Sequence, residues 1–278
     1  MNSLNRAFVN RQQINDIALQ SIGDKLPGGV EQGIDEISDA QNFAIGSRRE
    51  LSQWVFRYSY AAGDLAGLAR AVINSNYAPG VTGHENEDGF EGNLNSQAAV
   101  GAPYVDIADT AARAANWYQG GHFIAFGGTI FHQHHIIASG AGNGTYVRLY
   151  LDRPVEVEAI TTAMGVTAYR SPYSAVMAAM STQQEFEPFV GVNFKPVTTG
   201  YYFWLCTAGP VGITAHGGTW PGSAAHLRDV FFWMDGTIDP ATVADPSDGY
   251  QRAGYLLSAT GGTSSDYGDL WIMLQLDR

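Results

Sequence analysis

The chain has little cysteine, little charge and no long apolar run, and each shortage excludes a class of protein. Cys206 is the only cysteine among 278 residues, which excludes an intramolecular disulfide and a multi-cysteine metal site. The chain contains 15 Lys and Arg and 27 Asp and Glu, so its formal charge is −12. A chain of this charge repels phosphate backbones and anionic membranes. Nucleic acid is therefore not an expected partner.

Signals for membranes and for catalysis are also missing. The N-terminal stretch has no continuous apolar h-region, and no segment approaches the roughly 18 apolar residues of a membrane span. There is no G-x-S-x-G elbow, H-E-x-x-H motif or Gly-rich phosphate loop. We therefore expect a soluble protein that is not an enzyme and needs no cofactor.

Short apolar runs separated by Gly, Asn, Asp and Pro begin at Trp54, and this spacing is typical of many strands joined by turns. The predicted fold is mainly β, a sandwich or a barrel-like sheet. The predicted strands are 54–60, two within 120–144, 145–151, 155–159 after Pro154, 201–206, a hairpin at 229–238 and 268–277. The "AGPVG" stretch at 208–212 is predicted to be the turn that ends strand 201–206.

The domain prediction is an N-terminal arm over 1–45, followed by one β-rich domain over 46–278. Ile14, Ile17 and Ala18 have helical spacing, but the arm has too little apolar surface to fold alone. It is either partly disordered or laid against another subunit. A long polar loop is predicted at about 78–101, and 105–119 stays undecided between helix and strand.

The "FHQHH" stretch at 131–135 contains the strongest candidate metal ligands. On a strand His132 and His134 point to the same face, where two imidazoles could share Zn²⁺ or Ni²⁺. A site needs three or four ligands and no third is visible nearby. We therefore predict no metal site and place these histidines on a solvated or intersubunit face, unless three subunits meet there and symmetry supplies the missing ligands.

Acidic residues provide weaker candidates. Glu85, Glu87, Asp88 and Glu91 lie in the polar loop, but their spacing does not match a calcium-binding loop. The pairs Glu156/Glu158 and Glu185/Glu187 are predicted to be neighbours on a solvent face. No site residue is assigned to either group.

Aromatic residues cluster at Trp54/Phe56/Tyr58, at Tyr201–Trp204 and at Phe231–Trp233. Such clusters fill cores or interface hot spots, and they can also stack on sugars. Accessibility separates the two roles, because a stacking ring has to stay exposed. Cys206 and His216 are predicted to be structural, although a hydrolase using His216 or the histidines at 132–135 is the third alternative.

Several stretches together resemble head decoration, or cement, proteins of tailed bacteriophages. "GVNFKPVTTGYYFWLCTAGPVGITA" at 191–215 is similar to their G-V-x-(4)-V-x-x-G-x-Y-x-W segment. Further similar stretches follow the same order: "WVFRYSYAAGDLAGL" at 54–68, "AANWYQGG" at 114–121, "TYVRLYLDRPV" at 145–155, "SPYSAV" at 171–176 and the C-terminal stretches within 252–277. The long polar loop and the "FHQHH" run depart from the family pattern.

The resemblance implies a β-rich virion structural protein that binds the exterior of the major capsid shell and stabilises it. It implies the major capsid protein as partner and a homo-oligomer, with a trimer favoured. The alternative is a receptor- or carbohydrate-binding β module of a phage fibre or spike, in which the Trp and Tyr clusters form stacking platforms.

Overall fold

The computed structural model describes residues 25–26, 28–66, 70–74, 89–179, 188–216, 228–240, 250–259 and 270–277. Over these ranges every regular element is a strand, so the prediction of a mainly β chain with a sandwich or barrel-like sheet is confirmed. No helix long and apolar enough to cross a membrane occurs in the described ranges. The strands are β1 Arg48–Leu51, β2 Trp54–Tyr60, β3 Ala71–Asn74, β4 Gly89–Asn93, β5 Tyr104–Ile107, β6 His122–Phe126, β7 His132–Ser139, β8 Val147–Leu151, β9 Gly165–Tyr169, β10 Val176–Ala178, β11 Phe189–Val192, β12 Tyr202–Gly212, β13 Asp229–Phe232, β14 Ile238–Pro240, β15 Arg252–Ala259 and β16 Leu270–Gln275.

Contacts divide the chain into two compact units where the sequence predicts one domain over 46–278. The first unit comprises Met1–Ser75 and Ala175–Arg278, and the second comprises Asn76–Ser174. The second unit is therefore inserted between β3 and β10 of the first. These two strands pair antiparallel, with Asn74 opposite Val176, so the two ends of the insertion are neighbours.

The first unit is a 10-stranded antiparallel sheet organised around β12. The first half of β12 pairs with β2, and its second half pairs with β16. Large side chains alternate inward on β2 and β12, and Phe56, Tyr58 and Trp204 are buried. The strands predicted at 54–60, 201–206 and 268–277 are confirmed, as is the hairpin at 229–238, which is β13 and β14.

The predicted turn at "AGPVG" is wrong, because Ala208–Gly212 continues β12 and pairs with Gln275–Trp271 of β16. Proline is tolerated there because β2 ends its pairing at Val55, opposite Ala208, and leaves the following β12 residues paired on one side. Gly209 has a φ of 115°, where an L side chain is strained. The strand therefore bends at Gly209 and does not end.

Residues 28–45 of the predicted arm pack against the sheet of the same chain. Ser38 forms a single antiparallel bridge to Tyr202, and Lys25 forms another to Phe43. Phe43 is fully buried. This part of the arm is therefore ordered in cis, where the sequence left disorder and burial against another subunit as the alternatives. The helical spacing at Ile14–Ala18 lies outside the described residues.

The second unit is a six-stranded antiparallel sheet with the order β4-β9-β6-β7-β8-β5. A bridge between Leu94 and Ile107 joins its two outer strands, and the sheet closes into a small barrel. The interior is apolar, with Ile107, Phe123 and Leu149 fully buried. Along the rest of their length β4 and β5 are each paired on one side only, with β9 and β8 respectively.

Local predictions in the second unit have mixed outcomes. The two strands within 120–144 and the strand ending at Leu151 are confirmed as β6, β7 and β8. The strand predicted at 155–159 is wrong: after Pro154 the chain turns, and Val157 is 76% exposed with a φ of 67°. The predicted polar loop at 78–101 contains β4, and 105–119 begins with the end of β5 and continues as turns.

Candidate functional site

The side chain of Gln32 is the centre of a buried polar cluster that fixes the N-terminal segment to the sheet. Its Nε2 donates to the carbonyls of Glu36 (2.9 Å) and Tyr202 (3.0 Å). Its Oε1 accepts from Asn42 Nδ2 (3.0 Å) and from the Tyr58 hydroxyl (2.8 Å). All hydrogen-bonding positions of this amide are thus occupied, as a buried amide requires.

The backbone carbonyl of Gln32 is also used twice. It accepts from Arg49 Nη1 at 2.7 Å and from Trp204 Nε1 at 3.0 Å. The Arg49 guanidinium lies 4.6 Å from the Trp204 ring centroid, and Phe43 packs edge-on against that ring at 5.1 Å. No local pattern predicts this cluster, because Gln32 lies in a stretch without apolar periodicity.

The aromatic clusters proposed from sequence as stacking platforms belong largely to the core. Phe56, Tyr58, Trp204 and Phe232 are all buried. Burial raises the pKa of Tyr58 to about 12. By the accessibility criterion, these rings are core residues and cannot stack on a sugar in this conformation.

The histidines at 132–135 are divided between the two faces of β7. His132 and His134 share a face, as predicted, but that face is the barrel interior, where they are 3% and 4% exposed. The predicted solvated or intersubunit location is therefore wrong for this pair, and their burial leaves no surface for a ligand set shared by three subunits. Their rings are nearly parallel, with centroids 6.3 Å apart. Across the described parts of the chain no three His, Cys, Asp or Glu side chains converge as metal ligands.

Buried polar atoms of this histidine pair have few partners. His132 Nε2 makes no hydrogen bond, and His134 Nδ1 lies 3.6 Å from the Asp152 carboxylate. Burial is the main cause that lowers the pKa of His134, and Arg153 lowers it further. His134 is therefore a pH-sensitive group in the barrel interior.

Exposed rings lie on the outer face of the same barrel, where the sequence did not predict them. His122 of β6 stands opposite His135 of β7, with ring centroids 5.5 Å apart. Tyr104 of β5 stands opposite Tyr150 of β8, with ring centroids 6.3 Å apart. The outward positions of strands separated in sequence make this face, so only the strand pairing reveals it.

An apolar face is also exposed on the first unit. Tyr255 and Leu257 of β15 and Trp271 of β16 project from the outer side of these strands, and Trp271 is 45% exposed. Both strands are paired along both edges in the sheet, with β13 and β12 as their other neighbours. Solvated sheet faces are normally polar, so this face has the composition of a surface that is covered in an assembly.

His216 and Cys206 have structural surroundings. The His216 ring stacks on Trp233 at 4.4 Å, and its Nδ1 lies 3.4 Å from the Thr237 hydroxyl, which donates to Asp235. Cys206 is buried, and burial raises the pKa of its thiol to about 12. A thiol with this pKa is a poor nucleophile near neutral pH.

Three of the candidate carboxylates, Glu91, Glu156 and Glu158, lie within the described residues. Glu158 accepts hydrogen bonds from the Thr129 hydroxyl (2.5 Å) and the Ile130 N–H (2.9 Å), and so holds the β6–β7 hairpin. Glu156 is exposed, and Glu91 is exposed on β4. Glu85, Glu87, Asp88 and the pair Glu185/Glu187 lie outside the described residues.

No family model matches the chain, and comparisons with curated proteins and with solved structures give no match either.

Proposed function

We propose that the chain is a virion structural protein of a tailed bacteriophage, a decoration protein that binds the exterior of the major capsid shell. It acts without catalysis, and homo-oligomerisation, with a trimer favoured, accompanies its binding. The observation that carries the proposal is the exposed apolar face formed by Tyr255, Leu257 and Trp271. Burial of such a face against capsid subunits would stabilise the shell by mass action, since the bound state is favoured over dissociated subunits.

Two other observations support this assignment. The stretch at 191–215, which resembles the phage head proteins, forms β11 and β12 at the centre of the first unit. The formal charge of −12 also suits a protein outside the shell, since packaged DNA would repel it. A particle protein built from packed sheets requires no disulfide, which agrees with the single cysteine.

Cryo-electron microscopy of particles that carry this chain tests the proposal. We expect density for both units over capsomer junctions on the icosahedral shell. Density confined to a vertex, tail or fibre would contradict the decoration role and favour the receptor-binding alternative.

A pair of variants tests the surface that carries the proposal. Trp271→Ser is expected to reduce occupancy on shells by about tenfold or more, because buried Trp residues are frequent hot spots. Val30→Ser is the matched control, since Val30 is also an exposed apolar residue of the first unit but lies outside this face. Equal occupancy of both variants would exclude the β15–β16 face as the contact.

A further inference from the structure

The outer face of the barrel carries rings on neighbouring strands. Tyr169 of β9 is opposite His122 of β6, which in turn is opposite His135 of β7. The backbone N–H of His135 donates to the carboxylate of Asp152, just beyond β8, at 3.1 Å. Strand pairing alone therefore places rings from distant parts of the sequence side by side.

A second pair of rings lies on β8 and β5, offset along the strands from the first group, since Tyr150 is opposite Ala138 and not opposite His135. Tyr150 precedes Asp152 by two residues and pairs with Tyr104 of β5. The two tyrosine rings are 37% and 41% exposed, for Tyr104 and Tyr150 respectively. The outer face therefore carries two separate ring groups, which suit a ligand of several linked units better than a single small molecule.

We call the outer-face rings of Tyr169, His122, His135, Tyr150 and Tyr104 the platform. Arg148 gives the platform a fixed polar group. Its Nε and Nη2 donate to the two oxygens of Asp106 at 2.8 and 2.9 Å, a bidentate pair that fixes the guanidinium plane. The guanidinium carbon lies 4.0 Å from the Tyr104 ring centroid. Arg148 Nη1 makes no hydrogen bond within the described part of the chain, so it is available to donate to a ligand oxygen.

The platform carries no net charge although the chain is strongly acidic. Arg148 neutralises Asp106, and Arg153 neutralises Asp152 through a bond of 2.9 Å. Burial and the neighbouring His135 lower the pKa of His122, which keeps that ring uncharged near neutral pH. An uncharged ligand with hydroxyl groups complements this surface better than an anion or a cation.

We propose that this face binds a neutral polysaccharide chain, with Tyr104, Tyr150, His122 and His135 stacking on sugar rings and the Arg148–Asp106 pair contacting hydroxyl groups. Rigid rings on a closed barrel bind with little loss of conformational entropy. The inference is independent of capsid decoration, because an isolated chain binds sugar whether or not it binds shells.

Titration of the full-length chain with cellohexaose, maltohexaose, chitohexaose and mannohexaose tests the proposal, with polysialic acid as the anionic comparison. We expect at least one neutral hexasaccharide to bind with a Kd of about 1 mM or tighter by calorimetry. Polysialic acid is expected to bind more weakly than that hexasaccharide. Absence of binding by all the neutral probes, or preference for polysialic acid, would overturn the proposal.

Variants of the platform separate stacking from a general effect on folding. Tyr150→Ala is expected to weaken binding roughly five- to a hundredfold, the range for losing one stacking ring on nucleic-acid platforms, whereas Tyr150→Phe keeps the ring and retains affinity. Arg148→Lys loses the bidentate geometry and also weakens binding. Phe194→Ala is the control, because Phe194 is a similarly exposed aromatic residue of the first unit and is outside the face proposed to contact the capsid.

Two results of the variant series would contradict this assignment. Sugar binding that Tyr150→Ala leaves unchanged, in a variant with an unaltered thermal transition, would place the site elsewhere. A self-associated chain that Tyr150→Ala dissociates in sedimentation velocity would assign the face to contact between copies of the chain and exclude the saccharide.

Discussion

Gln32 shows how one polar residue can order a segment that has no apolar periodicity. Its side chain and its carbonyl together satisfy hydrogen-bonding groups from Asn42, Tyr58, Arg49 and Trp204. Each of those groups is costly to bury without a partner. The residue therefore acts as a polar anchor in an aromatic core, where it selects one position for the N-terminal segment.

Replacement of this anchor gives the first prediction. Gln32→Ala leaves the Tyr58 hydroxyl, the Asn42 amide and the Tyr202 carbonyl without these partners, and we expect a loss of about 2–4 kcal/mol in the free energy of unfolding. Chemical denaturation measures the change. Gln53→Ala is the control, since Gln53 is exposed and belongs to the same unit. Equal stabilities of the two variants would show that the polar cluster contributes nothing.

His134 gives a prediction for pH dependence. Its pKa in the folded barrel is below 6.5, so the unfolded chain binds more protons than the folded one when the pH falls below 6.5. The contribution of uncharged His134 to the stability of the folded barrel is therefore fully present above pH 6.5. It decreases as the pH falls toward the pKa of His134 in the folded state. Asp152 opposes this effect, while Arg153 and His132 add to it.

Thermal unfolding between neutral and mildly acidic pH tests whether the stability of the barrel falls on acidification. We expect the wild-type transition of the barrel to move down on acidification, and His134→Leu to reduce this dependence because it removes the buried titrating group. Gln133→Ala should retain the wild-type slope, since Gln133 has no titratable group and is exposed on the opposite face of β7. A wild-type slope in His134→Leu would show that other groups control the acid response.

At the scale of elements, β12 joins the two parts of the larger sheet because it bends without ending. The bend lies at Gly209, where an added Cβ would come within 2.8 Å of Trp54 Cδ1 and would also meet the Gln53 carbonyl. The positive φ of 115° adds backbone strain for any other residue. Trp54 Nε1 donates to the Pro210 carbonyl at 2.7 Å, which secures the strand just after the bend.

Gly209→Ala tests the role of this bend. We expect a loss of about 2–4 kcal/mol, since backbone strain and overpacking both apply. Gly200→Ala is the matched control: its φ is 89°, but an added Cβ there has no atom within 4 Å. The control should lose only about 1 kcal/mol from strain. Similar losses in denaturant melts of the two variants would contradict a steric role for the close approach at Gly209.

At the scale of the whole molecule, the barrel is an insertion whose ends meet as a cross-strand pair. Asn74 and Val176 are opposite each other in β3 and β10, the distance that a two-residue hairpin loop spans. We expect a chain in which Asn-Gly replaces 75–175, so that Asn74 and Val176 flank a two-residue loop, to fold as the first unit alone. Circular dichroism and a cooperative thermal transition measure this.

One result for the deletion chain would contradict independent folding of the first unit. A deletion chain without a cooperative transition would show that the first unit depends on the barrel for stability. The reciprocal fragment, 89–174, contains all six strands of the barrel together with the Leu94–Ile107 closure, and it is expected to unfold cooperatively as well.

The sequence by itself determined the elements that depend on local pattern. Alternation of large apolar residues placed strands at 54–60 and 147–151, and the Asp-Gly pair at 235–236 placed a hairpin. The side-chain period of a strand also put His132 and His134 on one face. Neighbouring residues carry each of these signals, so the surrounding fold is not needed to detect them.

The tertiary structure alone decided which face of each strand is buried and which strands are neighbours. Alternation distinguishes two faces but does not say that His134 points into a barrel and His135 out of it. Three features join residues far apart in sequence. They are the closure through Leu94 and Ile107, the two ring groups on the outer face of the barrel, and the anchoring of the N-terminal segment by Gln32. Such contacts depend on the summed packing energy of the whole sheet, which no local stretch of sequence contains.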